Sequence, residues 1–300
     1  MMDARNFSAA LGGVRDEYVS EAITYQNKQK RRNWTKWMAT AACLCLVVGL
    51  AFPLLSSKGS HDATHTGDDA PFFFNGCYYE VTDAPEVLAQ YGLPRKITPD
   101  MAGAHVAYIK VTYDKGFASF EETAAQADIE LCTYAPAPSS GVYVYREGET
   151  YMAAIFCNFE LFGSSNTNYE LAELYRVYAV EGAEDIVSVA EVDWGHDEII
   201  GTPVTDTGAL AVFYTLTTAL PSVGNDDFQR LTFGGVSDEA AQDAHTAFAD
   251  DLRILRVETS DGLYFYVSFY PAYSWLYSSG TMSYYRMEAQ MDAWFSENFG

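Results

Sequence analysis

The 300 residues carry Lys+Arg 18 against Asp+Glu 41, a formal charge of −23. So acidic a chain repels phosphate backbones and anionic polymers, which excludes nucleic acid as a partner. The 22 Tyr and 18 Phe fit pleated sheets rather than a helical bundle, and the length suits one large domain or two small ones.

Charge is unevenly spread along the chain. Residues 1–36 hold seven Lys/Arg and four acids, whereas the remaining 264 hold 11 Lys/Arg and 37 acids. Within the basic arm, Phe7, Leu11, Val14, Tyr18, Ala22 and Tyr25 recur at helical spacing. Gly12-Gly13 interrupts them, which predicts a short helix, a turn, and a second helix capped by Asp16. A stripe this short is marginal in water by itself. It must lie on a membrane surface, pair with a copy of itself, or dock on a cytoplasmic regulatory protein. Phe7, Leu11, Val14 and Tyr18 are its candidate partner-binding residues. The plain alternative is a passive basic stop segment.

Residues 37–55 contain no charge. As a helix they span roughly 28 Å, enough to cross a hydrocarbon core. Trp34 and Trp37 stand at the entry, where indoles favour the interface. Lys28, Lys30, Arg31, Arg32 and Lys36 crowd the N-terminal flank, against Lys58 alone on the other side. The positive-inside bias therefore predicts a single-pass cell-membrane protein, N-terminus in the cytoplasm and residues 57–300 outside. A cleaved signal peptide fits less well, because a long arm with its own pattern precedes the apolar run. Lipidation is disfavoured too, since Cys43 and Cys45 lie in the first half of that run.

The stretch Ala10-Leu-Gly-Gly-Val-Arg-Asp-Glu-Tyr-Val-Ser-Glu-Ala22, the basic residues after it, and Trp37-Met-Ala-Thr-Ala-Ala-Cys-Leu-Cys-Leu resemble a family of bacterial membrane proteins. Its members are mostly uncharacterised single-pass proteins of Gram-positive bacteria, some described as anti-sigma-factor-like. The resemblance covers about the first 55 residues. It implies an inner segment that holds a cytoplasmic regulator and an outer domain that senses. The arm lacks His and Cys, so such a role must be metal-free, unlike that of the zinc-binding anti-sigma domains.

Residues 56–71 read as a polar linker, and folded material is expected from Pro71 or Phe72. Phe72–Phe74 and Cys77–Val81 flank Asn75-Gly76, a tight-hairpin signal. Pro85–Tyr91 reads as a helix ended by Gly92, and His105–Tyr113 as a strand. Ser119-Phe-Glu-Glu122 has the form of a capping box, predicting a helix to about Ala127. Strands are predicted at Ile129–Ala135, Val142–Arg146, Tyr151–Asn158, Leu174–Val180 and Ile186–Val192. A helix over about Asp206–Ala219 follows, capped by Thr205 or Asp206, with Leu210, Phe213, Leu216 or Thr217, and Leu220 inward. Two hairpins (Leu252–Thr259 with Leu263–Phe269, Tyr273–Tyr277 with Met282–Met287) precede a last helix, Glu288–Phe299. Runs of strands with a few helices indicate an α+β domain with antiparallel sheets over 72–300, with a suggested division into halves 72–195 and 196–300.

No nucleophile elbow, zinc motif, phosphate loop or dinucleotide fingerprint occurs, so no catalytic residue, metal ligand or cofactor is assigned. His61 and His65 fall in the linker, and His196 in a carboxylate-rich turn. His245 with Asp243, Asp250 and Asp251 is the strongest polar constellation, though a helix cap plus surface charge is the favoured reading of it. Cys77, Cys132 and Cys157 cannot all pair, and free thiols are favoured. Alternation along neighbouring strands places some of the C-terminal aromatics on an outer sheet face. Tyr264, Tyr266, Trp275 and Tyr277 are accordingly the candidate aromatic surface, with packing under a covering helix as the alternative.

Three functional readings follow. The first is a non-enzymatic envelope sensor or signalling regulator acting through its cytoplasmic arm. The second is a surface-tethered binding module for wall, glycan or peptide ligands. A hydrolase with a non-standard site stands last.

Overall fold

A computed structural model describes residues 72–114, 117–159, 169–193, 195, 198–237 and 240–300. The predicted arm, membrane span and linker, with Phe7, Leu11, Val14 and Tyr18, lie outside the described residues, as do His61, His65 and His196. Among the described residues no helix is long and apolar enough to cross a membrane.

Among the described residues the architecture is α+β, two antiparallel seven-stranded sheets with six helices. The first sheet uses β1 (Phe72–Phe74), β2 (Cys77–Thr82), β3 (Ala102–Asp114), β4 (Phe117–Thr123), β5 (Ile129–Tyr134), β6 (Val142–Glu147) and β7 (Thr150–Asn158). Its spatial order is β1-β2-β7-β6-β5-β3-β4. The end strands β1 and β4 approach each other, so the sheet curls almost into a barrel. Curling shields the edge amides that a flat sheet would leave open. The second sheet runs β10 (Ser222–Val223), β14 (Ser283–Arg286), β13 (Trp275–Ser278), β12 (Tyr264–Tyr270), β11 (Arg253–Thr259), β8 (Ile186–Val192) and β9 (Ile199–Val204). The chain changes sheet between β7 and β8.

Local chemistry explains the hairpins. Asn75 and Gly76 both take positive φ (49° and 80°), the backbone a two-residue turn requires. Gly148 and Gly262 do the same in the β6–β7 and β11–β12 turns. Helix α1 (Pro85–Gln90) begins on proline, and the chain leaves it through Gly92 at φ +76°. A Cβ on Gly92 would collide with the carbonyl oxygen of Gly262, so glycine there lets the α1 end close on the β11–β12 turn. The Tyr264 N–H donates to Tyr91 O at 3.1 Å, and the Tyr266 hydroxyl donates to Gln90 O, fastening the same joint.

Two predicted elements are corrected. Residues 119–122 do not open a helix. They belong to β4, which pairs with β3 from Asp114↔Phe117 to Tyr108↔Thr123. A capping box offers two local hydrogen bonds, whereas the long strand β3 offers a whole ladder. Residues 174–180 are not a strand. Helix α2 (Leu171–Val177) occupies most of them, and the Glu173 carboxylate accepts from the Glu170 N–H at 2.9 Å at its start. Leu171, Leu174, Tyr175 and Tyr178 are buried, a helical period hidden by the density of strand-forming residue types. Strand β9 and helix α5 (Ala241–Asp250) were not anticipated as elements.

Helix α3 (Thr207–Ala219) follows its prediction closely. Asp206 caps it by accepting from the Ala209 N–H at 2.9 Å. Leu210, Phe213, Thr217 and Leu220 are buried. Helix α6 (Ala289–Phe299) turns Met291, Trp294 and Phe295 inward, with Trp294 against Phe213 and its Nε1–H donating to Ala209 O. One large core collects these residues with the inner faces of both sheets.

Candidate functional site

The aromatic face predicted from strand alternation exists, but most of it is covered. On β12, Phe265, Val267 and Phe269 enter the main core, so Tyr264, Tyr266, Ser268 and Tyr270 lie on the opposite face. Register continues that face across the sheet in two rows, Tyr270↔Trp275↔Arg286 and Ser268↔Tyr277↔Tyr284. Helices α4 (Asn225–Phe233) and α5 lie over them. Phe228 stacks on Tyr284 with centroids 3.5 Å apart and planes at 4°, and Phe248 stacks on Tyr270 at 4.1 Å. The result is a second, smaller cluster of Phe228, Phe248, Tyr270 and Trp275, with Tyr277 and Tyr284 partly buried against it.

One of the four aromatic candidates, Trp275, therefore needs correction as a surface residue, and the other three are partly buried. Trp275 is 0% exposed, and Tyr277 is partly buried in the same cluster, because the intervening helices use the face as their floor. Tyr264 is half-buried beneath the Arg256 guanidinium, 4.4 Å from its ring centroid. Tyr266 is half-buried and meets Tyr91 edge-on. The Trp275 Nε1–H is buried and has no acceptor among the described residues. Arg286 supplies a cation 5.0 Å from its ring.

The constellation around His245 does not converge. His245 packs tilted against Phe233, ring centroids 4.1 Å apart, and burial lowers its pKa. Asp251 instead accepts from the Ala272 N–H at 2.8 Å, and burial raises its carboxyl above the usual range. Asp243 and Asp250 sit on α5, both exposed. Among the described residues no group of three or more His, Cys, Asp or Glu is placed to hold a metal ion.

Cys77, Cys132 and Cys157 are free thiols. Desolvation raises all three, and Cys157, with the Glu80 carboxylate adding to the effect, reaches about 12. Such thiols are poor nucleophiles and fill space in the sheet. Cys157 is the additional residue of a bulge, since Tyr78 pairs with Asn158 and Tyr79 with Phe156.

A polar row not read from the sequence crosses the first sheet. Glu130 on β5 faces Tyr108 on β3 and Arg146 on β6. Its carboxylate lies 2.8 Å from Arg146 and 3.0 Å from His105 Nδ1. Register slips on both sides of His105, and such bulges re-aim a side chain. His105 and Tyr108, with Glu122 and Thr123 from β4, line an open cavity of about 440 Å³. With Nδ1 held by Glu130, Nε2 is the ring nitrogen left for a ligand. Strand alternation brings Glu130 and Arg146 together, but the bulges hide His105 from that count.

Comparison of the chain with protein-family models, with curated proteins and with solved structures gave no match.

Proposed function

We propose that this chain is a single-pass cell-membrane protein whose α+β domain faces outward and acts as a non-enzymatic envelope sensor or regulator. Residues 37–55 hold it in lipid, and residues 1–36 reach a cytoplasmic regulatory protein through Phe7, Leu11, Val14 and Tyr18. The observation that carries the reading is the uncharged 19-residue run with five cations crowded at residues 28–36. The acidic remainder of the chain is consistent with an outer domain that avoids anionic surfaces.

Orientation is tested by placing cysteine at Ala10 or Ala240 and labelling intact cells with a membrane-impermeant maleimide. Ala240 is exposed, and the raised pKa values of Cys77, Cys132 and Cys157 keep their background low. Labelling at 240 with none at 10 until permeabilisation is the expected result, and the reverse pattern sinks the topology. Recovery of a sigma factor by residues 1–36, lost on Leu11→Asp, supports the regulator.

The second reading, a tethered module for wall, glycan or peptide ligands, is favoured by the aromatic floor beneath α4 and α5. It is the one to keep if the arm retains no specific partner. The hydrolase reading gains no support from His245 and its neighbouring carboxylates, since His245 packs on Phe233 and Asp251 accepts from the Ala272 N–H.

A further inference from the structure

We propose that the sheet face under α4 and α5 is a gated binding platform for a neutral glycan, with the helix pair as its lid. This inference names a ligand for the binding reading above. It rests on packing within the domain, so a failed topology test leaves it standing.

Four observations lead to it. The cluster under the helices is separate from the main core, so opening the pair leaves the two-sheet packing intact. Each helix contributes one fully buried side chain, Phe228 from α4 and Phe248 from α5. Segments with so few buried anchors open at a lower free energy than the body they cover. The floor presents Tyr270, Trp275, Tyr277 and Tyr284 in adjoining rows, a continuous field of rings beneath Phe228, Phe233 and Phe248. Finally, Trp275 is wholly buried yet its Nε1–H has no acceptor among the described residues, an uncompensated cost in the closed state.

The last point selects the ligand class. Phe228 and Phe248 give the platform ring faces to stack on but no oxygen. A pyranose offers both in one unit, an apolar C–H face and oxygens at its rim for the indole N–H and the phenols. The acidic chain disfavours uronic or phosphorylated polymers, which leaves neutral saccharides. On binding, the sugar displaces the two Phe rings and holds the helix pair open. The gate thus converts occupancy into a movement of α4 and α5.

The test uses the full chain in a detergent without a sugar headgroup. Hydrogen exchange over 225–250 is read beside calorimetric titration with chitopentaose, maltopentaose, an oligogalacturonate and a Phe-rich peptide. Exchange over 225–250 faster than over β11 and β12 is expected, with binding of at least one neutral saccharide. Phe248→Ala, by enlarging the open population, should tighten that binding about tenfold. Trp275→Phe, which keeps a ring and removes the donor, should weaken it about fivefold. Exchange over 225–250 as slow as over β11 overturns the gate, and wild-type protein alone decides this if Phe248→Ala does not fold. Preference for the oligogalacturonate or the peptide overturns the ligand class, as does the absence of saccharide binding. Saccharide binding unaffected by Trp275→Phe places the site elsewhere and also overturns the proposal.

Discussion

The main core and the cluster beneath α4 and α5 are both rich in aromatics, yet they are built differently. The main core draws on both sheets and on helices α1, α2, α3 and α6, so each side chain is held from several directions. Phe213, for example, is wholly buried against Trp294, and Trp294 is tied by its indole to the α3 backbone. The smaller cluster is held from above by two phenylalanines, with Phe233 and His245 packed beside them. Burial in the first is collective, and burial in the second depends on one face of a thin cover. Equal solvent exclusion does not mean equal resistance to opening.

The sharpest way to break this contrast is a pair of truncations. Phe213→Ala should cost about 3–5 kcal/mol and lower the main melting transition by about 10 °C. Phe248→Ala should move that transition by less than about 3 °C, while exchange over 225–250 rises. Calorimetry with hydrogen exchange reads both, and equal shifts in the main transition would make the two clusters one cooperative unit.

The joint between α1 and the β11–β12 turn gives the next largest effect. Gly92→Ala combines a positive φ with a collision against the Gly262 carbonyl, for an expected loss of about 3 kcal/mol. Gly262→Ala meets open space and should lose about 1 kcal/mol, from backbone strain alone. Urea titration of both variants separates collision from strain. A smaller effect is expected from Asp206→Ala, which removes the α3 cap and should cost about 1 kcal/mol in the same titration.

The smallest effect concerns pH and only the helix pair. Burial lowers the His245 pKa below 6.5, so between the two values the open chain binds more protons than the closed one. The closed state is therefore fully favoured above about pH 6.5 and loses stability as pH falls through that value. Asp251 acts in the opposite sense at lower pH, because burial raises its carboxyl and the closed state holds the proton more tightly. Exchange over 225–250 should quicken modestly from pH 7.5 to 5.5, and His245→Phe should remove the change. An unchanged pH response in that variant would assign it to another group.

Particular residues show what could be read in advance. The aromatic face was legible because alternation along β12 and β13 puts Tyr270, Trp275 and Tyr277 on one side. A covering helix was legible as the alternative, but α5 was not, since it carries a single fully buried residue and its apolar signal is weak. The polar row was illegible for another reason. His105 and Glu130 are 25 positions apart, and register slips around His105 break the count that would align them.

The sequence by itself determined the features settled within a few residues. The Asn75-Gly76 turn, the capped start of α3, its inward stripe and the alternation of the C-terminal hairpins all depend on backbone preferences and side-chain periods of near neighbours. Only the tertiary structure decided which distant partners each element meets. β3 drew residues 117–123 into a ladder against their helical cap signal, and the packing of Leu171, Leu174 and Tyr175 made α2 a helix among strand-forming residues. Likewise, α4 and α5 turned an aromatic sheet face into a floor. Local conformational preferences differ by about 1 kcal/mol per residue, and a ladder or a buried face outweighs them by summing over many residues.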